Sequence, residues 1–195
     1  EFAQIVGQCG LTFIGPTPDA MRQWGDKLRA REAAERFGLP LLPGSTALES
    51  ASHAESEAKR VGLPVMVKAR GGGGGRGMRV VRKLAEVRRA FESATAEAMA
   101  SFGNPELYLE RFVERPRHIE FQVFGDGEGQ AIHLGERECS IQRRHQKVIE
   151  EAPSPVISAE QRAHMGGIVA KAMADMGYRG AGTIEFLYEN NEFYF

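Results

Sequence analysis

The stretch that decides the fold reads VMVKAR (65–70), GGGGG (71–75) and RGMRVV (76–81), so five glycines separate two runs rich in β-branched residues. A structural hairpin needs only one or two glycines, and every glycine adds an entropic cost to folding. Five bare amides can instead approach an anion closely, and Lys68 and Arg76 flank them with cations. Flexible glycine linkers are commoner, but they lack strand-forming flanks. The sequence therefore predicts a strand–loop–strand hairpin whose loop contacts phosphate.

Two better-known phosphate motifs can be tested against this loop. The glycines contain the pattern G-x-G-x-x-G at Gly72, Gly74 and Gly77, but five consecutive glycines almost guarantee such a match. The dinucleotide-binding motif continues directly into a helix, whereas RVV (79–81) is typical of a strand. The Walker A loop needs a Lys-Ser or Lys-Thr pair after its last glycine, and none follows here. A lid over phosphates is the best physical interpretation.

Composition and charge are those of an ordinary globular chain. Of 195 residues, 42% are hydrophobic and 26% are charged, and the formal net charge is −1. This balance gives no reason to expect nucleic acid or an anionic membrane as the main partner, and no apolar run approaches the length of a membrane span. Cys9 and Cys139 lie far apart, which favours a reducing, cytoplasmic compartment over a disulfide or a zinc site.

The two ends of the sequence suggest a piece of a longer protein. There is no initiator Met, and EFAQIV (1–6) already resembles the interior of a helix. The chain stops at FYF (193–195), directly after the turn-like ENNE (189–192). A strand that ended there would leave aromatic residues exposed at a terminus. We therefore expect a fragment.

The remaining patterns predict helices and strands in mixed order. A strand is expected over 11–14, a helix over 18–23 with Thr17 as its N-cap, and a helix over 27–37. The Pro- and Gly-rich segment 39–44 is a candidate boundary between subdomains. The other expected elements are helix 52–61, strands 64–69 and 78–82, helix 83–102, strand 107–112, a hairpin of 118–124 and 131–137, a helix that begins at a capping box of Ser158 and Gln161, and strands 183–188 and 192–195.

Two lysines are candidate phosphate ligands. Lys68 lies in an apolar strand that enters the glycine loop, and it is either an edge lysine or a point charge that binds phosphate. The loop beside it favours phosphate. Lys27 lies at a helix start, where a lysine opposes the helix dipole, and for this residue a surface position and a ligand role stay equally open.

Two further places carry polar residues that suit a ligand. The phrase QRRHQK (142–147) lacks helical periodicity, and a curved loop could aim Gln142, His145 and Lys147 at one anion. A solvated charged surface is the alternative. Glu185 lies on the alternating strand TIEFL (183–187) and is either an exposed strand residue or a ligand of Mg²⁺, which takes one or two carboxylates together with phosphates.

At this point five phrases of the chain match a known family. They are KARGGGGGRGMRVV (68–81), RHIE (117–120), ECSIQRRHQK (138–147), EEAP (150–153) and GYRGAGTIEF (177–186). Together they resemble the biotin carboxylases, the ATP-grasp subunits or domains of biotin-dependent carboxylases, along essentially the whole chain. The resemblance implies an α+β, ATP-grasp fold that clasps ATP. Residues 1–14 would be the tail of an N-terminal α/β domain, 15–39 a linker, 40–112 the lid subdomain, and 113–195 the start of the larger catalytic subdomain.

The resemblance also implies a reaction. Bicarbonate attacks the γ-phosphate of MgATP to give carboxyphosphate, which yields CO₂, and the deprotonated ureido nitrogen of biotin captures the CO₂. Such a transfer depends on positioning and charge neutralisation. The implied partners are bicarbonate, a biotin carboxyl carrier protein or domain, and a carboxyltransferase. The whole subunits often form homo-oligomers, in the cytoplasm or, in a eukaryote, in the mitochondrial matrix.

The resemblance assigns a role to each matching position. Lys27 and Lys68 would hold phosphates, Gly74 and Gly75 would cover them, and His145 would lie beside them. Lys147, with His145 the catalytic candidate, would bind bicarbonate, and Glu185 would bind Mg²⁺ or Mn²⁺. The adenine would be read by the backbone of Glu110, Arg111, Phe112 and Val113, and the ribose would lie by His118 and Gln142.

One family phrase is missing, and two alternatives stay open. Biotin carboxylases carry a Glu-x-Asn-x-Arg phrase after the final turn, and the chain stops before it. We therefore expect these 195 residues alone to bind nucleotide weakly and not to carboxylate biotin. The alternatives are another ATP-grasp ligase, of the carbamoyl phosphate synthetase type, and a non-catalytic nucleotide-binding module.

Overall fold

The glycine loop joins two antiparallel strands, as its flanks predict. In the computed structural model, which describes residues 1–72, 77–144 and 146–195, β1 (Val65–Ala69) pairs with β2 (Met78–Val81). A third strand, β3 (Leu107–Arg111), pairs with the other edge of β1, so the sheet order is β2-β1-β3. Alternate β1 residues face the core, which buries Val65 and Val67 and leaves Lys68 half-buried on the opposite face.

Two helices cover one face of this three-stranded sheet. Helix α4 (Ala51–Val61) begins at the N-cap Ser50, whose hydroxyl accepts a hydrogen bond from the His53 amide. Helix α5 (Val87–Phe102) follows a short 3₁₀ turn at Leu84–Glu86, so the helix expected over 83–102 starts later than predicted. The two helices approach closely through small residues, since Ala54, Ala58, Ala94 and Ala98 are all fully buried.

The second sheet has five antiparallel strands in the order β6-β5-β4-β7-β8. Its strands are β4 (Arg117–Asp126), β5 (Ala131–Arg143), β6 (Gln146–Glu151), β7 (Arg179–Glu189) and β8 (Glu192–Tyr194). The hairpin predicted over 118–124 and 131–137 is confirmed as β4 and β5. Strand β5 runs beyond the expected end into the charged phrase 138–143 and pairs there with β6.

One face of the five-stranded sheet packs against helix α6 (Ala159–Asp175). The helix begins at the predicted capping box, in which Ser158 and Gln161 bond to each other's backbone N–H groups. The core beneath it includes Phe121 and Phe186, whose rings meet edge to face with centroids 6.0 Å apart. Because alternate strand residues point to opposite faces, Glu120 and Glu185, the neighbours of Phe121 and Phe186, lie on the face turned away from α6.

The first 40 residues are mostly helical. Helices α1 (Phe2–Gln8), α2 (Pro18–Trp24) and α3 (Lys27–Arg36) are present, and Thr17 caps α2 as expected. The strand predicted over 11–14 is wrong: no described strand pairs with these residues, and Ile14 is 95% exposed. An apolar run without a neighbouring edge cannot satisfy its backbone as a strand.

The chain divides into two compact units, and the expected α+β class is confirmed. Unit 1 comprises residues 1–25, 29–41 and 115–195, and unit 2 comprises residues 26–28 and 42–114. The main division falls between Leu41 and Leu42, inside the predicted boundary segment 39–44. Among the described residues, no helix is long and apolar enough to cross a membrane.

Candidate functional site

Strand register brings four charged residues together on the open face of the five-stranded sheet in unit 1. Glu120 on β4 lies directly opposite Arg137 on β5 and, on its other side, opposite Glu185 on β7. Lys147 on β6 reaches the same place from beyond β5, because its ammonium group bonds to both Glu120 and Glu185. Residues far apart in sequence thus form one cluster, which we call the Lys147 cluster (Glu120, Arg137, Lys147 and Glu185).

Lys147 is held as a cation by two carboxylates. Its Nζ donates to Oε2 of Glu120 and, at 2.8 Å, to Oε1 of Glu185. Burial on its own would lower the pKa of Lys147, but the hydrogen bonds to Glu120 and Glu185 outweigh burial and raise it above the ordinary value. Lys147 is therefore a fixed positive charge at neutral pH.

Glu185 is an ionised and accessible carboxylate. The imidazole of His118, with Nε2 at 3.7 Å from Oε2, and the ammonium group of Lys147 together lower its pKa to about 2. The side chain nevertheless remains 55% exposed. An exposed carboxylate oxygen that stays charged at neutral pH is a suitable ligand for a hard cation such as Mg²⁺.

His118 is oriented by its neighbours on β5. The side-chain amide Nε2 of Gln142 lies 2.7 Å from Nδ1 of His118 and 2.9 Å from the carbonyl oxygen of Cys139. Because the amide N–H donates, Nδ1 accepts, and this bond turns the Nε2 side of the ring toward Glu185. The His118 amide donates to Ser140 Oγ at 2.8 Å, and Ser140 in turn donates to Glu138.

Two members of this site have no assigned role in the sequence analysis. Glu120 is 1% exposed and bonds to Lys147, and Arg137 forms ion pairs with Glu120 and, at 3.1 Å, with Glu150. The alternation of HIEFQVF (118–124) already places Glu120 on the face of His118. That pattern could have found Glu120, whereas Arg137 depends on the pairing of β4 with β5.

A second group of potential metal ligands is unsuitable for a metal. Glu120, Cys139 and Glu150 have ligand atoms within 4.8 Å of one another. However, Glu120 already neutralises two cations, Lys147 and Arg137. Burial and the charge of Glu120 raise the pKa of the Cys139 thiol to about 11, so it stays protonated at neutral pH.

Unit 2 brings the two candidate phosphate lysines close together. Lys68 on β1 donates to the buried carboxylate of Glu110 on β3. Lys27 lies at the start of α3, and its pKa is lowered by burial and by the positive charge of Lys68, against the attraction of Glu110. Two lysines that repel each other form a place where an anion would be stabilised.

The segment expected to read adenine, Glu110 to Val113, begins inside β3, the strand that pairs with β1, and runs beyond its end. The Arg111 amide donates to the Pro43 carbonyl at 2.8 Å, and the Phe112 amide donates to the Pro64 carbonyl at 2.9 Å. These two N–H groups therefore have backbone partners. Val113 is buried. The remaining calls, Gly74, Gly75 and His145, lie outside the described residues.

Comparison with known proteins supplies the family. Residues 26–195 match the family model described as the carbamoyl-phosphate synthase L chain, ATP binding domain. A biotin carboxylase of Haemophilus influenzae is 51% identical over 197 aligned residues, which cover 100% of this chain and 44% of that protein. The chain thus spans less than half the length of this curated relative.

Two solved structures have the same fold. One is a biotin carboxylase complex with β,γ-ATP from Campylobacter jejuni, with a TM-score of 0.93, 46% identity and coverage of 100% of this chain and 44% of that chain. The other is the biotin carboxylase domain dimer of the Hydrogenobacter thermophilus 2-oxoglutarate carboxylase with MgADP, ADP and bicarbonate. Its TM-score is 0.92 at 47% identity, and the match covers 100% of this chain and 43% of that chain.

Proposed function

Because the chain belongs to the family of the carbamoyl-phosphate synthase L chain, ATP-binding domain, we propose that the protein that carries it is a biotin carboxylase. It would use ATP and bicarbonate to carboxylate biotin on a carrier protein. The observation that supports this most is the meeting of His118, Lys147 and Glu185 on one sheet face. The 51% identity to a biotin carboxylase over the whole chain supports the same assignment.

Lys147 is assigned to bicarbonate. Its ammonium group stays charged, since its pKa lies above the ordinary value, so it acts as an anchor for an anion and not as a base. A charge-assisted hydrogen bond from a fixed ammonium group is about twice as strong as a neutral one. Glu120 beneath it is buried, and it holds the ammonium group in place before the anion arrives.

Glu185 is assigned to Mg²⁺ or Mn²⁺. The residue fits a hard cation, because its carboxylate is exposed and its pKa is about 2. A bound Mg²⁺ would supply charge neutralisation for the phosphates of ATP. Lys147 donates to Oε1 of the same carboxylate. When the Glu185 carboxylate binds the metal ion, the ammonium group of Lys147 can exchange its bond to Glu185 for a bond to bicarbonate.

The nucleotide is assigned to two sets of residues. Lys27 and Lys68 would bind phosphates, with Gly74, Gly75 and His145 beside them, and His118 and Gln142 would lie by the ribose. In the segment of Glu110, Arg111, Phe112 and Val113, the N–H groups of Arg111 and Phe112 already donate to the protein. The backbone of this segment as a whole would read the adenine.

The further partners follow from the same proposal. The carrier would be a biotin carboxyl carrier protein or domain, and a carboxyltransferase would consume its carboxybiotin. Homo-oligomers belong to this proposal as well, as does a location in the cytoplasm or, in a eukaryote, in the mitochondrial matrix. The proposal keeps the expected domain limits. They are the tail of an N-terminal domain (1–14), a linker (15–39), the lid subdomain (40–112) and the start of the catalytic subdomain (113–195).

The test compares two lysine variants in the protein that carries this chain. Lys147→Ala should lower ADP release that depends on bicarbonate and biotin by about a hundredfold, the usual cost of one lost charge-stabilising donor. Lys171→Ala is the matched control, since Lys171 lies on α6, is 73% exposed and pairs only locally with Asp175 at 2.5 Å. Unchanged bicarbonate-dependent turnover in Lys147→Ala would contradict the assignment.

One alternative is favoured by a specific observation. The family model takes its description from carbamoyl-phosphate synthase, so a ligase of that type is the second candidate. The same assay separates the two, because ATP turnover that responds to ammonia or glutamine and not to biotin would support the alternative. The absence of any turnover with intact nucleotide binding would support a non-catalytic nucleotide-binding module.

A further inference from the structure

The carboxylate of Asp26, at the start of helix α3, accepts two kinds of hydrogen bond. Oδ1 of Asp26 accepts a hydrogen bond from the Leu28 amide at 3.1 Å, which caps the helix start. Oδ2 of the same carboxylate accepts from Nε of Arg70 at 2.8 Å. Residues 26–28 belong to unit 2, while the rest of α3 belongs to unit 1. The bond joins two segments of unit 2.

Arg70 is itself fixed at the end of β1. Its amide donates to the Glu106 carbonyl at 2.9 Å, and its Nη1 donates to Oε2 of Glu106 at 2.6 Å. The side chain is only 25% exposed. Hydrogen bonds to Asp26 and Glu106 raise the pKa of Arg70 above its ordinary value. A planar guanidinium can bond to two carboxylates at once, which the single ammonium group of a lysine does less well.

The two phosphate candidates are the sequence neighbours of this bond. Lys27 directly follows Asp26, and Lys68 lies two residues before Arg70, which directly follows the last residue of β1. Repulsion from Lys68 contributes to the lowered pKa of Lys27. Glu110 offsets part of this repulsion by attracting both ammonium groups. The Asp26–Arg70 bond joins the two backbone segments that carry the lysines.

We propose that Arg70 is a positioning residue: through Asp26 it holds Lys27 beside Lys68, so that the two ammonium groups form one phosphate-binding pair. The proposal rests on the proposed function, since it takes the phosphates of ATP as the ligand. Arg70 itself does not touch the ligand. Arg70 fixes the two lysines before the ligand arrives. The free-energy cost of bringing them together therefore falls on folding and does not weaken binding.

The first experiment separates phosphate recognition from general stability. In the protein that carries this chain, Arg70→Ala should weaken ATP binding by about tenfold and leave adenosine binding unchanged, both measured by calorimetry. Arg70→Lys should recover part of the loss. The matched control is Arg88→Ala, because Arg88 forms a 3.1 Å ion pair with Glu55 in the same unit, away from the lysines. ATP affinity equal to wild type in Arg70→Ala, or an equal loss for adenosine, would overturn the proposal.

A second variant isolates the bond itself. Asp26→Asn keeps an oxygen that can cap α3 but removes the charge that Arg70 pairs with. It should weaken ATP binding about as much as Arg70→Ala, and the double variant should be no weaker than either single one. Strictly additive losses would overturn the proposal, because they would mean that the two residues act independently.

A third measurement needs no nucleotide. The pKa of Lys27, followed by NMR of labelled lysine side chains, should rise toward its ordinary value in Arg70→Ala, because Lys27 is then free to leave its half-buried position and to move away from Lys68. An unchanged Lys27 pKa would overturn the proposal even if the protein proved not to bind ATP. Failure of the wild-type protein to bind ATP would instead contradict the proposed function.

Discussion

The two units of this chain hold their candidate lysines in different electrostatic settings. In unit 1, Lys147 lies between two carboxylates that raise its pKa. In unit 2, Lys27 is half-buried beside Lys68, and burial and that like charge lower its pKa. The first lysine is already neutralised by the protein, whereas the second has a cation as a close neighbour and shares a single carboxylate, Glu110, with it.

The difference points to different ligands. A lysine that has two carboxylate partners can give one of them up, so its site suits exchange between ions of both signs, such as a divalent cation at Glu185 and a small anion at Lys147. A pair of neighbouring lysines has excess positive charge, which a polyanion such as a triphosphate would relieve. On the proposed assignments, the same residue type would bind two kinds of anion, and the carboxylates around it would determine which one.

The largest expected effect comes from breaking the buried side of the Lys147 cluster. Glu120→Gln removes a carboxylate that is 1% exposed and leaves Lys147 and Arg137 facing each other without it. We expect a loss of about 3 kcal/mol in the free energy of unfolding, the lower end for a broken buried ion pair, because Glu185 and Glu150 still pair with the two cations. Chemical denaturation measures it. A loss no greater than that of Glu185→Gln would show that burial does not matter here.

In unit 2, a smaller change in the free energy of unfolding, of opposite sign, is expected. Lys27→Met removes a half-buried ammonium group that is repelled by Lys68, so the protein without nucleotide should become more stable by about 1 kcal/mol. The sign follows from linkage: the lowered pKa means that the unfolded chain binds the proton more tightly, which opposes folding at neutral pH. ATP affinity should fall at the same time. A variant that is less stable than wild type without ligand would contradict the contrast between the two units.

Local patterns predicted much of the fold. The β1–β2 hairpin, the Thr17 cap and the Ser158–Gln161 capping box depend on residues close in sequence, and all three are confirmed. The likeness to biotin carboxylases and the ATP-grasp fold are confirmed by the family and structural matches. The expected strand over 11–14 failed because an apolar run does not reveal whether a partner strand exists.

The site was only partly predictable, for a physical reason. Glu120 lies opposite Glu185 because β4 and β7 are adjacent in the sheet. The two residues are 65 positions apart in the sequence, and no local pattern predicts that their strands pair. Arg137 and Arg70 likewise gain their importance from partners in other segments. The assigned roles of Lys27, Lys68, Lys147 and Glu185 remain predictions, as do those of the residues outside the described ranges.

The smallest expected effect is the dependence of the stability of unit 1 on pH, through Glu185. The pKa of Glu185 is about 2 in the folded chain against an ordinary value of 4.5, so between these values the unfolded chain binds more protons. Glu185 therefore stabilises the fold above about pH 4.5, and this contribution is lost as the pH falls toward 2. Because the side chain is 55% exposed, solvent screening limits the effect to less than about 1 kcal/mol.

The contribution of Glu185 can be tested by measuring the free energy of unfolding between about pH 3 and about pH 6, a range that includes the ordinary carboxylate pKa. Wild type should be more stable than Glu185→Gln at the upper end, and the difference should shrink toward the lower end. Lys147→Ala should reduce this pH dependence without abolishing it, because His118 still faces the carboxylate at 3.7 Å. A difference that does not change with pH would mean that the cations of unit 1 do not hold Glu185 in its charged form, and the contrast with the lysine pair of unit 2 would then disappear.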